Sequence, residues 1–509
     1  MKRIINIKFL TALAVLLVMV SSCTKDFEAI NTDKNNPSTD LAAPEMLLTN
    51  IIESSCDRTH EIFLGHEMGN CWVQHMAKVQ YTDEDRYIPR ASVINTSWNS
   101  FFVASGMDAA TLYRVAAKKQ NDNYMGVAMV MKVYITSVLT DLYGDIPYSE
   151  AWRGGIAEGG ILSPKYDTQE SIYRDIVKKL DTANTLLTVD GKEIAGDIMF
   201  GNDVLKWKKF ANSLHMRLLL RMSSKDAAYV TAELTRMVGD PATYPVFESN
   251  DDNAQLVYLG SLPNNNPINE NRKTRDDHRV SKTVIDMMWV NNPNMDYRVT
   301  VYANRPSAGG YWEGMPNGLT SAKALAYLGN GLSKTSKLGN YFTAAECPGV
   351  LMSYAELQFI LAEGVQKGLI TGAPKTAQEY YEAGIYGSYN QYADAIVANS
   401  EAFMTGTIDE LAADYMENGG AGWDAANALE RIATEKWLAM FEQGLQSWFE
   451  WRRTGYPALT PAEDGQNGGK IPVRVNYPSD EYATNPANVA AAVSVQGADD
   501  LNTKVWWNK

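Results

Sequence analysis

Cysteine is scarce in this chain, with four residues among 509. Four thiols are too few to build the dense disulfide framework of small secreted proteins. A hydrophobic core must therefore supply most of the stability. The sequence leaves two alternatives for Cys56, Cys71 and Cys347. One is a Cys56–Cys71 bridge with one thiol left over. The favoured one is three buried, unpaired cysteines.

Positive charge is also in short supply. The chain has 46 lysines and arginines against 60 aspartates and glutamates, a formal net charge of −14. Nucleic-acid-binding proteins need basic patches that displace phosphate counterions, so we predict no nucleic-acid partner. The same balance argues against electrostatic docking on anionic lipid. Tyrosine and tryptophan are abundant instead, at 27 and 12 residues, and these side chains favour binding surfaces as well as cores.

Recognisable catalytic signatures are missing. His66-Glu67 begins like the zinc motif H-E-x-x-H, but Asn70 occupies the position of the second histidine. His60 and His75 add no ligand spacing typical of a metal site. Neither a nucleophile elbow nor a Walker loop occurs. We therefore predict no catalytic residue, no bound metal and no other cofactor.

Two acidic turns are the exception to consider for a structural Ca²⁺. Residues 33–36 and 251–253 are rich in aspartate and asparagine, whose oxygens are ligands for this ion. Turn formation explains the same residues more simply, because both side chains bond to nearby backbone. A calcium site is therefore an alternative that the sequence does not favour.

The N-terminal apolar run is too short to span a bilayer. Three basic residues flank or precede FLTALAVLLVMV over residues 9–20, whereas a spanning helix needs about 20 apolar residues. Two serines and Cys23 close the run in the pattern of a lipobox. We predict a lipoprotein signal peptide over 1–22, lipidation at Cys23 and a lipid-anchored segment over 23–43, with acyl chains providing the membrane attachment.

The remainder, 44–509, is predicted to be a single all-α domain. Apolar residues recur at helical spacing in ten segments. These are 44–76, 98–117, 124–142, 168–187, 202–222, 227–237, 353–368, 376–396, 407–416 and 426–451. The aromatic residues spaced along these segments, such as Trp207, Phe210, Trp437 and Phe441, are expected in the core.

The central region differs in character. Residues 239–350 contain eight of the 19 prolines together with an Asn264–Asn266 run, and proline interrupts both helices and central strands. We predict long irregular loops there, with one helix over 281–290 and a few short hairpins. Irregular loops of this length are usually functional, so this insert is the expected ligand-binding region.

Two segments have the features of a packed helix pair. Leu357, Ile360 and Leu361 form an apolar stripe in 353–368, while Ala362 and Gly384 would let that helix approach 376–396 closely. Helix pairs with small residues at the contact resemble tetratricopeptide units. We predict a tetratricopeptide-like array of helix pairs as the scaffold.

Several motifs, taken in order, resemble those of the SusD/RagB family, and specifically its SusD-like outer-membrane lipoproteins. The resemblance covers Cys23 to about residue 490. It rests on DFEAINTDKNNP (26–37), DLYGDIPYSEA (141–151), WKKFANSL (207–214) with MRL (216–218), MSYAELQFILAE (352–363), WFEWRRTGYP (448–457), and on 471–472, 477–478 and 481–486.

This resemblance implies a non-catalytic nutrient-binding lipoprotein on the outer face of the outer membrane. Such proteins capture an oligomeric nutrient, usually a glycan, and act as the lid of a SusC-like TonB-dependent β-barrel transporter. Asp26 and Glu28 look like the acidic export signal of these lipoproteins. Two alternatives remain open: a surface glycan-degrading enzyme on a helical scaffold, and a SusD-like protein that binds a peptide or glycopeptide.

Ligand residues are predicted from composition. A sugar ring stacks on an aromatic face, while its hydroxyls need amide, carboxylate or arginine partners. Two segments mix these types outside helical periodicity, and SusD relatives tend to use the corresponding segments. The predicted ligand residues are Trp72, Gln74, Tyr81, Arg86, Trp98 and Asn99, with Tyr87 nearby, and Arg305, Tyr311 and Trp312, with Tyr302 and Asn304 nearby.

Overall fold

The computed structural model describes residues 42–155, 158–292 and 294–509. The predicted signal peptide, Cys23, the acidic residues Asp26 and Glu28 and the 33–36 turn lie outside the described residues. Helices dominate the described part, which confirms the predicted all-α class. Residues Pro44–Lys509 form one compact unit around a large hydrophobic core.

The α-helices make up most of the regular secondary structure of the described residues. In order they are α1 (Pro44–His60), α2 (Ala91–Asn99), α3 (Met107–Lys119), α4 (Asp122–Tyr143), α5 (Gln169–Leu186), α6 (Val204–Arg221), α7 (Ala227–Gly239), α8 (Pro267–Arg272), α9 (Lys282–Ile285), α10 (Val299–Tyr302), α11 (Ser321–Ala326), α12 (Gly331–Lys334), α13 (Asn340–Thr343), α14 (Tyr354–Gln366), α15 (Ala377–Gln391), α16 (Ala393–Ser400), α17 (Ile408–Asn418), α18 (Ala428–Ala439), α19 (Gly444–Thr454), α20 (Ser479–Thr484) and α21 (Pro486–Gln496). Three π-helical segments add to them: Ile62–Asn70, Ser100–Gly106 and Asp286–Val290.

Helix starts follow from local capping chemistry. The Asp203 side chain accepts hydrogen bonds from the first backbone N–H groups of α6, which have no partner inside the helix. Reciprocal capping boxes begin α15, with Thr376 and Glu379, and α17, with Thr407 and Glu410. These short signals explain why the predicted starts of α15 and α17 are accurate to one residue.

The scaffold is built from consecutive helices that pack side by side, as the tetratricopeptide-like prediction requires. The tightest pairs include α14 with α15, α4 with α5, and α3 with α4. A Cβ on Gly384 of α15 would lie 2.7 Å from the Phe359 ring of α14, so glycine permits this close approach. The same pair brings Gly387 onto Tyr354, where a Cβ would lie 2.9 Å from the ring.

The longest predicted helices are interrupted. The 44–76 segment ends its α-helix at His60 and continues as the π-helix Ile62–Asn70. The 426–451 segment divides into α18 and α19. The break lies where the start of α19 meets the π-helix, because a Cβ on Gly444 would lie 2.4 Å from the backbone N of Asn70. Such backbone contact is possible only for glycine, and tertiary packing overrides the helical periodicity here.

The strands are short and form two-stranded antiparallel ribbons. β1 (Met76–Lys78) pairs with β5 (His278–Val280), β2 (Ile146–Pro147) with β3 (Tyr166–Asp167), and β4 (Ala254–Leu256) with β6 (Gly349–Met352). The hairpins predicted for the central region are wrong, because β5 pairs with β1 and β4 with β6, partners distant in sequence. β2 and β3, outside that region, are consecutive strands. The central region also holds more helix than predicted, from α8 to α13.

Helix α4 is long and apolar enough to cross a membrane by length and composition alone. Most of its side chains are buried against neighbouring helices, which is the environment of a central core helix.

Buried ion pairs connect the sequence motifs to one another. Arg217 pairs with Glu356, Glu363 with Arg453, and Arg221 with both Asp141 and Glu450. At the end of α19, Arg453 Nη2 lies 2.8 Å from Glu450 Oε2. Its neighbour Arg452 instead donates to the carbonyls of Asp141 and Val473, and its guanidinium carbon lies 4.0 Å from the centroid of the Trp448 ring. The sequence motifs therefore largely supply the buried ion pairs that connect the helices of the scaffold.

Candidate functional site

The predicted residues Arg305, Tyr311 and Trp312 lie together on the loop-rich side of the chain. The Arg305 guanidinium carbon lies 4.9 Å from the centroid of Trp312 and 5.5 Å from that of Tyr311. Trp289 stacks on Tyr311, with centroids 5.0 Å apart, and meets Trp312 edge to face at 5.4 Å. Phe403 completes the group, 5.8 Å from the Arg305 guanidinium carbon. We call these five residues the aromatic platform.

Backbone features fix the platform in place. Trp312 is only 5% exposed and its indole N–H donates to the Ala303 carbonyl at 2.8 Å. Gly309 and Gly310, both with positive φ, turn the chain just before Tyr311, a conformation that other residues adopt only with strain. The anchored Trp312 therefore leaves its neighbour Tyr311 pointing outward, 63% exposed.

Exposed aromatic surface is the main property of this site. Besides Tyr311, Phe403 is 41% exposed, and Tyr297 supports it with stacked rings 6.2 Å apart. Trp289 is half-buried. Flat, rigid aromatic faces of this kind provide contact area at low entropic cost and suit the apolar face of a sugar ring.

Tyr81 lies in a second location, a cleft of about 340 Å³. Its ring is 62% exposed, and the Arg275 guanidinium carbon lies 4.9 Å from its centroid. Phe63 lines the same cleft under Arg90, at 4.6 Å from its guanidinium carbon. We call this the Tyr81 cleft; a neighbouring cleft of about 570 Å³ shares Phe63 and Arg90 with it.

A balanced ion network forms the floor of the Tyr81 cleft. Lys78 Nζ lies 2.7 Å from both Glu67 Oε1 and Glu84 Oε2, and Arg90 bonds to the same two carboxylates. Burial alone would lower the pKa of Lys78, but the two carboxylates outweigh burial and raise it. The two carboxylates are therefore paired with two cations. This network stabilises the floor of the cleft, and none of its four side chains is left without an ionic partner.

The aromatic platform and the Tyr81 cleft are connected through the β1–β5 ribbon. Tyr81 follows the end at which Lys78 pairs with His278, whereas Trp289 follows the end at which Met76 pairs with Val280. The two sets of predicted residues therefore leave opposite ends of one ribbon.

The structure buries several predicted ligand residues. Trp72 has no exposed surface and donates its indole N–H to the Glu84 carbonyl at 2.9 Å. Gln74 is buried, donating to the Thr460 carbonyl and accepting from the Thr283 hydroxyl. In these positions Trp72 and Gln74 support the fold and offer no surface to an oligomer.

The other members of the first predicted segment are dispersed. Arg86 is partly buried and donates to the Asp464 carbonyl at 3.1 Å. Tyr87 is buried and accepts from the Ala462 N–H at 2.8 Å. Trp98 is buried with its ring 5.0 Å from Tyr143, while Asn99, next to it, is exposed at the end of α2.

Near the platform, two further residues support the loops. Tyr302 is fully buried and donates to the Leu438 carbonyl at 2.9 Å. Asn304 bonds to the Leu338 carbonyl and to the Asn340 side chain.

Trp289 and Phe403 were missed by the sequence prediction. Trp289 lies within the π-helix Asp286–Val290, whereas Phe403 lies in the turn between α16 and α17. The same composition criterion applied to every loop would have found Phe403.

The described residues were compared with the requirements of a metal site. They contain no group of three or more His, Cys, Asp or Glu side chains placed to hold a metal ion. Asp252, in the candidate calcium turn, pairs with Lys209 at 2.9 Å. Cys56, Cys71 and Cys347 are buried and unpaired, which confirms the favoured alternative over a Cys56–Cys71 bridge.

One carboxyl group in the larger cleft has a perturbed pKa. Burial raises the pKa of Asp57 to about 6, opposed by a hydrogen bond from the Tyr258 hydroxyl. Its neighbour Glu61 caps the π-helix, accepting from the N–H groups of Phe63 and Leu64. A glycosidase needs a second carboxylate free to act as base or nucleophile, and Glu61 is engaged by the backbone.

The chain belongs to the SusD-like family described as starch-binding and associating with the outer membrane, which matches residues 34–478. This places it among outer-membrane-associated nutrient-binding proteins. Its structure is similar to that of a chitin-binding protein at 27% identity, with a TM-score of 0.79, covering 92% of this chain and all of the other. A SusD homologue from Bacteroides fragilis is 25% identical, with a TM-score of 0.74 and coverage of 92% and 99%.

An outer-membrane protein from Bacteroides vulgatus, for which a role in nutrient binding has been suggested, is likewise 25% identical. Its TM-score is 0.77, with coverage of 92% of this chain and all of the other. No curated protein matches this chain.

Proposed function

We propose that this protein is a non-catalytic surface lipoprotein that binds an oligosaccharide on the aromatic platform and delivers it to a SusC-like TonB-dependent transporter. The platform carries the binding part of this proposal. It presents exposed rings of Tyr311 and Phe403 around Arg305, on loops held by the buried Trp312. Membership of a starch-binding family and similarity to a chitin-binding protein support a carbohydrate ligand.

The partner and the location follow from the family and from the N-terminal sequence. The family associates with the outer membrane, and a lipidated Cys23 would hold the protein there without a spanning helix. Asp26 and Glu28 support display on the outer face, where the protein would close over the transporter as a lid. Co-purification from gently solubilised membranes tests the partner. Recovery of a large β-barrel protein with the chain is expected, and repeated recovery of the chain alone would contradict the partnership.

A binding role is favoured over an enzymatic one. An acid–base pair in one cleft is the minimum for glycoside hydrolysis, and the carboxylates of both clefts are committed to ion pairs or caps, apart from Asp57. The test is a panel of oligosaccharides with product analysis after incubation. Bound and unchanged oligosaccharide is expected. Release of shorter products by wild type but not by Asp57→Asn would support the enzyme instead.

A peptide or glycopeptide ligand is the second alternative for the same site. Aromatic faces and an arginine also suit peptide side chains, so the panel includes peptides. Preference for peptides over every oligosaccharide would overturn the carbohydrate part of the proposal while leaving the binding role intact.

A further inference from the structure

Arg305 has an unusual environment for an arginine of this protein. Its guanidinium lies over the rings of Trp312, Tyr311 and Phe403. Among the described residues, no carboxylate lies within 4.0 Å of it and no side chain or backbone carbonyl accepts a hydrogen bond from it. The side chain is exposed. Arg305 is therefore positioned by aromatic faces alone.

Two arginines elsewhere in the chain show the contrast, because carboxylates neutralise both. Arg298 donates to Asp296, Ser388 and Glu435 in the core. Arg90, at the Tyr81 cleft, bonds to two carboxylates. Cation–π contacts differ from such pairs because they orient the planar guanidinium without using its N–H donors. The N–H groups of Arg305 are thus available in a fixed orientation beside exposed aromatic surface.

Such a guanidinium matches a planar or tetrahedral anion better than a hydroxyl. Hydrogen bonds between arginine and a carboxylate or sulfate are charge-assisted and often bidentate, and they are about twice as strong as bonds between neutral groups. The chain as a whole carries a net charge of −14, which repels an anionic ligand elsewhere on the surface. A single unpaired arginine at the binding surface therefore favours binding of an anionic ligand at this site over the rest of the surface.

We propose that the ligand of the aromatic platform is an acidic oligosaccharide. A sugar ring stacks on Tyr311 and Phe403 while its carboxylate or sulfate group is bound by Arg305. This inference rests on the proposed function, since it names the class of oligosaccharide that the same site takes.

The test compares ligands that differ only in charge. Isothermal titration of the soluble protein lacking residues 1–23 would use oligogalacturonate and its methyl ester, a sulfated galactan oligomer and its desulfated form, a neutral gluco-oligosaccharide, and an aspartate-rich peptide. The variants are Arg305→Gln, Arg305→Lys and, as a control of equal charge change, Arg174→Gln on the exposed face of α5. Arg174 pairs with Glu170 and Asp226 and takes no part in the platform.

We expect at least one acidic oligomer to bind about tenfold more tightly than its uncharged form, equivalent to about 1.4 kcal/mol. Arg305→Gln should abolish that difference, Arg305→Lys should retain part of it, and Arg174→Gln should behave as wild type. Affinity for the acidic oligomer should also fall with added salt. The preferred pair identifies the anion as carboxylate or sulfate.

Four outcomes would overturn the inference. The charge preference is wrong if uncharged forms bind as tightly as acidic ones, or if Arg305→Gln weakens the binding of both equally. Arg305 then only lines the binding site, and the proposed function stands without the charge preference. If the acidic peptide binds more tightly than every oligosaccharide, the ligand class is wrong. If no oligosaccharide of any charge binds, the proposed carbohydrate-binding function itself fails.

Discussion

Arg217 and Glu356 form a buried, two-pronged ion pair between α6 and α14. Arg217 Nε donates to Glu356 Oε1 at 2.7 Å and Nη2 donates to Oε2 at 2.5 Å, while Nη2 also reaches the Leu351 carbonyl. Neither side chain has appreciable solvent exposure. The two residues belong to separate sequence motifs, so the pair explains why those motifs occur together in one chain.

Removing one member of this pair should destabilise the protein strongly. Glu356→Gln or Arg217→Met leaves an uncompensated buried charge or unpaired polar group, at a cost of roughly 3–5 kcal/mol in the free energy of unfolding. The double variant Arg217→Met/Glu356→Leu should recover much of that loss, because it removes both charges. Urea denaturation of the soluble protein measures both. A single substitution that costs less than about 1 kcal/mol would contradict this role.

Low pH should weaken a second buried ion pair of the scaffold, between Glu363 and Arg453. Burial by itself raises the pKa of Glu363, but Arg453 and Lys367 outweigh burial and lower it to about 2, against about 4.3 in an unfolded chain. A lowered carboxyl pKa stabilises the folded state fully above the unfolded value, and this contribution is lost as the pH falls from about 4.3 towards 2. The contribution at neutral pH is roughly 3 kcal/mol.

The measurement is the free energy of unfolding of wild type and Glu363→Gln between pH 7 and pH 3. The deficit of the variant should be constant above about pH 5 and should shrink at lower pH. Glu430→Gln, at an exposed position of α18, is the matched control and should show no such trend. A deficit for Glu363→Gln that is independent of pH would contradict the assignment.

How far the sequence predicts the site depends on burial. Arg305, Tyr311 and Trp312 lie together because one short loop holds all three, and their role as ligand residues stays a prediction from composition. Composition could not distinguish the exposed Tyr81 from the buried Trp72 nine residues earlier, since both occur in the same mixed segment. The difference arises from the pairing of β1 with β5, a contact across about 200 residues that no local pattern encodes.

The fold shows the same limit. Uninterrupted helices such as α4 and α5 follow their apolar periodicity closely, so their bounds were predictable. The break between α18 and α19 lies at the backbone contact of Gly444 with Asn70, which the periodicity of 426–451 does not reveal. The pairing of β1 with β5 and of β4 with β6 was unpredictable for the related reason that these two ribbons join distant segments.

Trp72 should therefore affect stability and not binding. Trp72→Phe leaves the Glu84 carbonyl without its indole donor and opens a small cavity, so we expect a loss of roughly 1–3 kcal/mol in unfolding free energy. Ligand affinity at the platform should stay within twofold of wild type, as measured by titration at a temperature where the variant is folded. A folded Trp72→Phe protein with strongly reduced affinity would instead indicate that the first segment contributes to the ligand site.

The central claim is that the ligand occupies the aromatic platform, and the affinity of Tyr311→Ala for the bound oligosaccharide tests it most directly. Tyr81→Ala and Tyr482→Ala are matched controls: Tyr81 lies in the other candidate site, and Tyr482 is an exposed tyrosine of α20 that bonds to Asp499. We predict at least a tenfold loss of affinity for Tyr311→Ala, about 1.4 kcal/mol or more, with an unchanged melting temperature and with both controls near wild type. Unchanged affinity in Tyr311→Ala together with a large loss in Tyr81→Ala would place the ligand in the Tyr81 cleft and contradict the account.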